Sequence, residues 1–408
     1  MFAFRRRERT ALAVSLLLTV VSLGGCARGS TGAGSASAGA CNSPGVTARE
    51  IKLGAIFPDT GALAATFAPI RNGIDARIGE ANAAGGVHGR QISYVWSDDR
   101  GDPGANLEAA QRLVQDEKVF GIAAFSASMT GGSAEYLAAR EIPVTGLAAE
   151  PVWSHSQNMF AFAYTVGTIV DTYGQWTHLR GGTKAVVLQS AAIGATDTLG
   201  KQMMASMSGA GIATLPPIAY STVTGSDEQI AEQIVDSGAD VLVSMSDPDR
   251  FAQIVQATRA AGADIKVALS LSGYDPSNLH ELGGEMAGIT IPVFHTPLET
   301  NSAAIRRFRQ SMVTYAPEGA TDHEFALLGY IGTDEFIKGL EVAGPCPTRA
   351  AFINGMHSLT NYDAGGLVPA MDIKNHFAAP TRCFSFVTVN AEGTAFVPLG
   401  NACDGAKG

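Results

Sequence analysis

After its first 26 residues the chain has no apolar run near the roughly 20 residues that a membrane-spanning helix needs. Nor does it carry the usual marks of catalysis. None of its eight histidines stands in a zinc-protease spacing, and there is no Gly-x-Ser-x-Gly turn and no Lys-Ser/Thr phosphate loop. Asp322-His323-Glu324 is locally suggestive, but neighbouring helix residues point in different directions, so it reads as a solvated helix start. Basic residues are scarce, 28 against 38 acidic ones, which argues against a nucleic-acid partner. No ligand spacing for a metal and no cofactor fingerprint is present, so the expectation is no enzyme, no cofactor and no metal.

What is present begins with a leader. Arg5, Arg6, Arg7 and Arg9 form a basic head, Ala11 to Val21 is apolar, and Leu23-Gly24-Gly25-Cys26 follows. The apolar run is that of a secretory signal peptide and too short for a span. Leu-Gly-Gly-Cys resembles the bacterial lipoprotein box, which implies acyl chains on Cys26 and anchoring to the outer face of the cytoplasmic membrane. The paired arginines leave the general and twin-arginine export routes both open. The leader's four arginines and one glutamate contribute +3 to a net charge of −10, so the remainder carries −13. Ser30 to Ala40 is almost wholly Gly, Ala, Ser and Thr, a composition that builds no core and reads as a tether.

Only five cysteines occur. With Cys26 assigned to lipid, Cys41, Cys346, Cys383 and Cys403 form an even set in an oxidising compartment, for which three pairings exist. Cys383 opens the apolar run to Val389, a turn follows at Asn390-Ala391-Glu392-Gly393, and the return strand would bring Cys403 beside Cys383. Cys41 and Cys346 then pair by elimination. Four free thiols is the alternative.

From Ile51 onward, short apolar runs alternate with longer helical patterns. Ile51 to Phe57, Ile92 to Trp96, Phe120 to Phe125 and Ile142 to Leu147 read as buried strands, with Ile70, Ile74 and Ile78 marking one helix face and Leu107, Ala110 and Val114 another. A second series runs from Ala185 to Leu269. Two such series imply an α/β fold of two doubly wound parallel-sheet lobes joined by a crossover hinge. The expected organisation is a signal peptide over 1–25, a flexible tether over 26–48, a first lobe from 49–162 plus 296–355, and a second from 163–295 plus 356–408.

Five stretches in order carry a family resemblance. They are Ile51-Lys52-Leu53-Gly54 with Asp59-Thr60-Gly61, Ala81 to Ile92 (ANAAGGVHGRQI), Asp98-Asp99 with Asp102-Pro103, Ile142-Pro143-Val144, and Arg259-Ala260-Ala261-Gly262. Together they resemble the type I periplasmic binding proteins, in their leucine/isoleucine/valine-binding branch. The resemblance implies a solute-binding component of an ABC importer that closes on a small amino acid, amide or related carboxylate and hands it to permease subunits. A ligand-sensing lipoprotein of the same fold is the alternative. The aspartates read as turn and cap carboxylates.

The resemblance also nominates cleft residues. Ser126, Ser128 and Thr130 fall in the Ser/Thr-rich loop that takes a ligand carboxylate, while Ala148 and Glu150 fall where a backbone carbonyl and a threonine meet an amino acid. In the second lobe, Ile193-Gly194 stands where a tyrosine is usual, Ser272 where an acid holds the ligand ammonium (with Asp275 close by), and Asp247 where a second tyrosine lies. Either Glu150 and Asp247 replace the ammonium clamp, facing each other across the cleft with Ser128 and Ala148, or the ligand has no ammonium group at all. Phe67, Trp153 and Tyr274 are the aromatic candidates for its lining, although each reads first as core or surface.

Overall fold

The computed structural model describes residues 41–61, 63–166, 169–190, 196–221, 225–245 and 247–404. Five parallel strands form the first sheet: β1 (Glu50–Phe57), β2 (Gln91–Asp98), β3 (Ile122–Ala124), β4 (Val144–Ala148) and β5 (Met159–Tyr164), in the order β2-β1-β3-β4-β5. A second sheet holds β6 (Lys184–Ser190), β7 (Ala213–Thr214), β8 (Ile218–Tyr220), β9 (Val241–Ser244), β10 (Val267–Ser270), β11 (Ile289–Val293), β12 (Cys383–Val389) and β13 (Phe396–Cys403). Its order is β13-β12-β11-β10-β9-β6-β7, with β8 also on β6. The two-sheet α/β architecture is the expected one. The second sheet differs in being mixed, because β12 runs antiparallel to both β11 and β13.

β5 was not legible as a strand. Its sequence, MFAFAY, is apolar and buried at every position, so it shows no alternation that would tell a strand from a short buried helix. It is wholly part of the first sheet, and the chain crosses to the second sheet only after Tyr164. A second crossing follows β11. The helices Ala303–Tyr315 and Glu324–Ala343 then pack on helix Ile70–Ala83 of the first lobe. A third crossing precedes β12.

Local chemistry explains the element ends. Asp102 accepts from the Ala105 amide at 2.9 Å and Pro103 takes the first helical position, where its missing N–H is not needed. That helix turns a different face inward from the one its leucine and valine mark. Ala105, Ala109, Ala110 and Leu113 are buried, while Leu107 and Val114 are half-buried. Asp98 accepts from the Asp59 and Arg100 amides, both at 2.9 Å, and Asp99 is fully buried beneath Asn106 and Ser126. The aspartates are therefore turn and cap carboxylates, as the sequence suggests. In the Gly-rich turn, Gly86 has φ +72° and a Cβ there would lie 1.9 Å from the Arg90 carbonyl oxygen, so only glycine fits.

Both disulfides form, Cys41–Cys346 and Cys383–Cys403, the latter joining directly paired positions of β12 and β13. Part of the expected tether is seated: Val46 bridges to Ile51, and the Ser43 hydroxyl donates to the Pro347 carbonyl at 2.7 Å. Cys26 lies outside the described residues. Among those described, no helix is long and apolar enough to cross a membrane.

Candidate solute-binding cleft

In open parallel sheets, ligands bind beyond the carboxyl ends of the strands. On the first sheet those ends lead into the loops 125–133 and 149–150. Ser126 is fully buried in the first loop. Its hydroxyl donates to Asp99 and accepts from the Ser128 amide at 3.0 Å, so it holds the loop from beneath. Thr130 is exposed at the loop's tip, while Ser128 and Ala148 are 5% and 4% exposed.

Glu150 occupies the loop's donors. Its carboxylate accepts from the Met129 amide at 2.6 Å and from the Thr130 amide at 3.1 Å. Charge-assisted bonds of this kind are among the stronger ones a backbone makes. The loop that the resemblance assigns to a ligand carboxylate thus already holds a carboxylate on two of its amides, supplied by the chain itself.

On the second sheet, Asp247 follows β9 in the left-handed conformation, φ 53°, immediately before Pro248. It accepts from the Tyr220 hydroxyl at 3.1 Å. The Ser272 hydroxyl is enclosed, without a hydrogen-bond partner among the described residues. Ile193 and Gly194 lie outside the described residues.

The aromatic candidates belong to packing. Trp153 is fully buried in a core with Leu137, Val144 and Met159. Phe67, 7% exposed, meets Phe325 edge-on. Tyr274 is 3% exposed; its hydroxyl donates to Glu299 at 2.5 Å and accepts from the Leu298 amide at 2.9 Å, and burial pushes it far above the usual phenol range. It ties the loop after β10 to the second crossing rather than presenting its polar end to a cleft.

The stretch 322–324 is the helix start that its sequence suggests, with Asp322 exposed, but His323 and Glu324 are half-buried and partnered rather than solvated. His323 caps its helix, its Nδ1 accepting from the Phe325 amide at 3.1 Å, and its Nε2 lies 2.8 Å from Asp275. Glu324 lies 2.9 Å from His295 Nε2, and that imidazole is fully buried. Two histidine–carboxylate contacts thus link the start of a first-lobe helix to segments following β10 and β11. The hydrogen bond from His323, assisted by the Ser277 amide, holds the Asp275 carboxyl at about 2. Its folded value lies below its ordinary 3.8, so its stabilisation is present above that value and lost as pH falls through about 2. Asp275→Asn should lower stability at pH 7 by about 1 kcal/mol, allowing for solvent screening. Denaturant unfolding across pH should show the gap to the parent narrowing below pH 4; a gap independent of pH would refute the contact's role.

One feature had no signal in the sequence. A cavity of about 170 Å³ lies in the second lobe, against the residues that follow β5, β9, β10 and β11. Its walls read in sequence as ordinary core, and only the fold gathers them around a space.

The sequence profile of the periplasmic binding proteins matches residues 50–394. The chain belongs to the periplasmic binding protein family. This periplasmic binding protein has the type I arrangement of two sheets, in a family of solute-binding proteins rather than enzymes. A Leu/Ile/Val-binding protein homolog 2 of Brucella abortus is 36% identical over 86 residues, 21% of this chain and 23% of that protein, so the alignable stretch spans under a quarter of the curated relative. Solved structures match far more widely. A fatty acid ABC transporter substrate-binding protein from Thermomonospora curvata superposes with a TM-score of 0.69 at 19% identity, covering 89% of this chain and 95% of that one. A solute-binding protein of an ABC transporter from R. palustris, in complex with benzoate, gives 0.67 at 17% identity, covering 87% and 97%.

Proposed function

We propose that this periplasmic binding protein is the extracytoplasmic solute-binding component of an ABC importer. A small solute would enter between the lobes, which close by bending at the three crossings, and the closed form would dock on permease subunits. Lipid on Cys26 would hold the protein at the outer face of the membrane. The observation that carries this reading is that, among the described residues, two separate sheets are joined by three chain crossings, each sheet offering loops at its strand ends where such folds take ligands.

Relatives of this fold name branched-chain amino acids, fatty acids and benzoate as cargo, so the fold alone does not choose among these. The chemistry of Glu150 supports one reading. With Glu150 seated on the Met129 and Thr130 amides, a free carboxylate meets negative charge there instead of unoccupied donors. Ser128, Ala148, Glu150 and Asp247 are the polar contacts we assign to the cargo, Glu150 and Asp247 suiting donor groups rather than acids.

Thermal unfolding of the full chain against amino acids, amides, polyamines and aromatic or aliphatic compounds tests the reading. A cognate solute at a hundred times its dissociation constant should add about 2.7 kcal/mol of stability. If no class of solute shifts the transition or draws the lobes together in solution scattering, the solute-binding reading fails.

A further inference from the structure

We infer that the cavity in the second lobe is a binding site for an uncharged apolar group of the cargo, either one six-membered ring or a chain of about six to eight carbons. This rests on the solute-binding reading and deepens it by naming a chemical class.

Position is the first argument. Met245 follows β9, Leu271 follows β10 and Phe294 follows β11, three strands adjacent in the sheet, and all three residues line the cavity. Thr165 and Val166, at the first crossing, complete that side. The space therefore lies at the strand ends where this kind of sheet takes ligands, and part of its wall is a segment that must move when the lobes close.

Its size and lining are the second. Protein cores are packed to crystal-like density, with few voids larger than a water molecule. This one is a pocket open on one side, measuring about 170 Å³, which is of the size of an apolar cavity of about 150 Å³ known to admit benzene. Among the described residues no side chain of its wall is charged; Thr165, Gln202 and Tyr173 are the polar ones. A charged group placed there would lose its hydration without a counter-ion, whereas an apolar group exchanges water for carbon. Met203 and Met245 are buried in the wall at 2% and 8% exposure, and their unbranched thioethers adapt to ligands of slightly different shape.

The chemistry of the first lobe's loop agrees. Across the first lobe's loop the carboxylate cradle is already filled by Glu150. Cargo built as an apolar body with a neutral or donor-bearing head fits both features, while an amino-acid zwitterion fits only part of one.

The test uses the full chain with toluene as the apolar probe, and leucine and benzamide as solutes bearing a polar group. Toluene should raise the unfolding temperature saturably and titrate with one site per chain. Leu271→Trp and Val170→Phe, which fill the cavity from different walls, should each weaken toluene at least tenfold while keeping the parent's circular dichroism. Toluene without effect, or bound equally by the parent and both folded variants, would overturn the inference. Leucine or benzamide binding that survives both variants would also overturn it, yet would leave the solute-binding reading intact. Toluene binding lost in the variants, with no solute of any class closing the lobes, would support the cavity and sink the transport role.

Discussion

Replacing Cys41 and Cys346 together by serine is expected to be the most destabilising change, because their bridge spans 305 residues of sequence. On the chain-entropy account, a cross-link restricts the unfolded state by an amount that grows with the logarithm of the loop it closes. For this loop the account gives about 5–6 kcal/mol, against about 3 kcal/mol for Cys383–Cys403, which is 20 residues apart. The short bridge also joins strands that are already paired along β12 and β13, so less freedom is left for it to remove. The long bridge ties the entry of the first strand to the loop that leaves the long first-lobe helix. Arg90 reinforces the same junction, donating to the Thr47 carbonyl at 2.8 Å and the Pro345 carbonyl at 2.7 Å. Guanidinium unfolding of the two double-serine variants should rank them in this order. Equal losses, or a larger loss at Cys383–Cys403, would mean that the entropy of the long loop is not what the bridge controls.

The same junction shows what the sequence made legible and what it did not. An even set of cysteines and one hairpin were enough to place both bridges, since a β-hairpin brings its ends together whatever else the chain does. Alternating apolar runs likewise identify strands and helices, because each element must bury a face set by its own backbone period. Arg90 stands in one of the stretches that carry the family resemblance, yet its work depends on Thr47 and Pro345, which are remote in sequence. Side chains whose partners lie far along the chain were misread in the same way. His323 reads as solvated because Asp275 is 48 positions away, and the enclosure of Trp153 and Tyr274, which read first as core or surface, comes from other elements. The cavity is the extreme case, being a space among mostly apolar residues that come from several segments remote from one another in sequence.

Removing the Glu150 carboxylate should change both stability and ligand preference, and the two effects together distinguish what it does. Glu150→Ala leaves the Met129 and Thr130 amides without their acceptor. Hydrogen bonds to a charged partner contribute about 1.5–3 kcal/mol each. The Thr130 end is exposed and water can replace part of its bond, so a net loss of about 2 kcal/mol is expected. The freed cradle should then accept an external anion: small carboxylates should bind the variant at least tenfold more tightly than the parent, because they gain two amides and no longer meet a resident negative charge. Glu150→Gln keeps the side chain's shape and one carbonyl acceptor, so it should lose less stability and gain less affinity for carboxylates. Calorimetric titration with acetate and leucine, beside thermal unfolding of all three proteins, would measure both quantities. A stability loss without any gain in carboxylate affinity would assign Glu150 to loop support alone. A gain confined to Glu150→Ala would mean that a resident carboxylate steers the cleft away from acids, by occupying the donors that would otherwise recognise them.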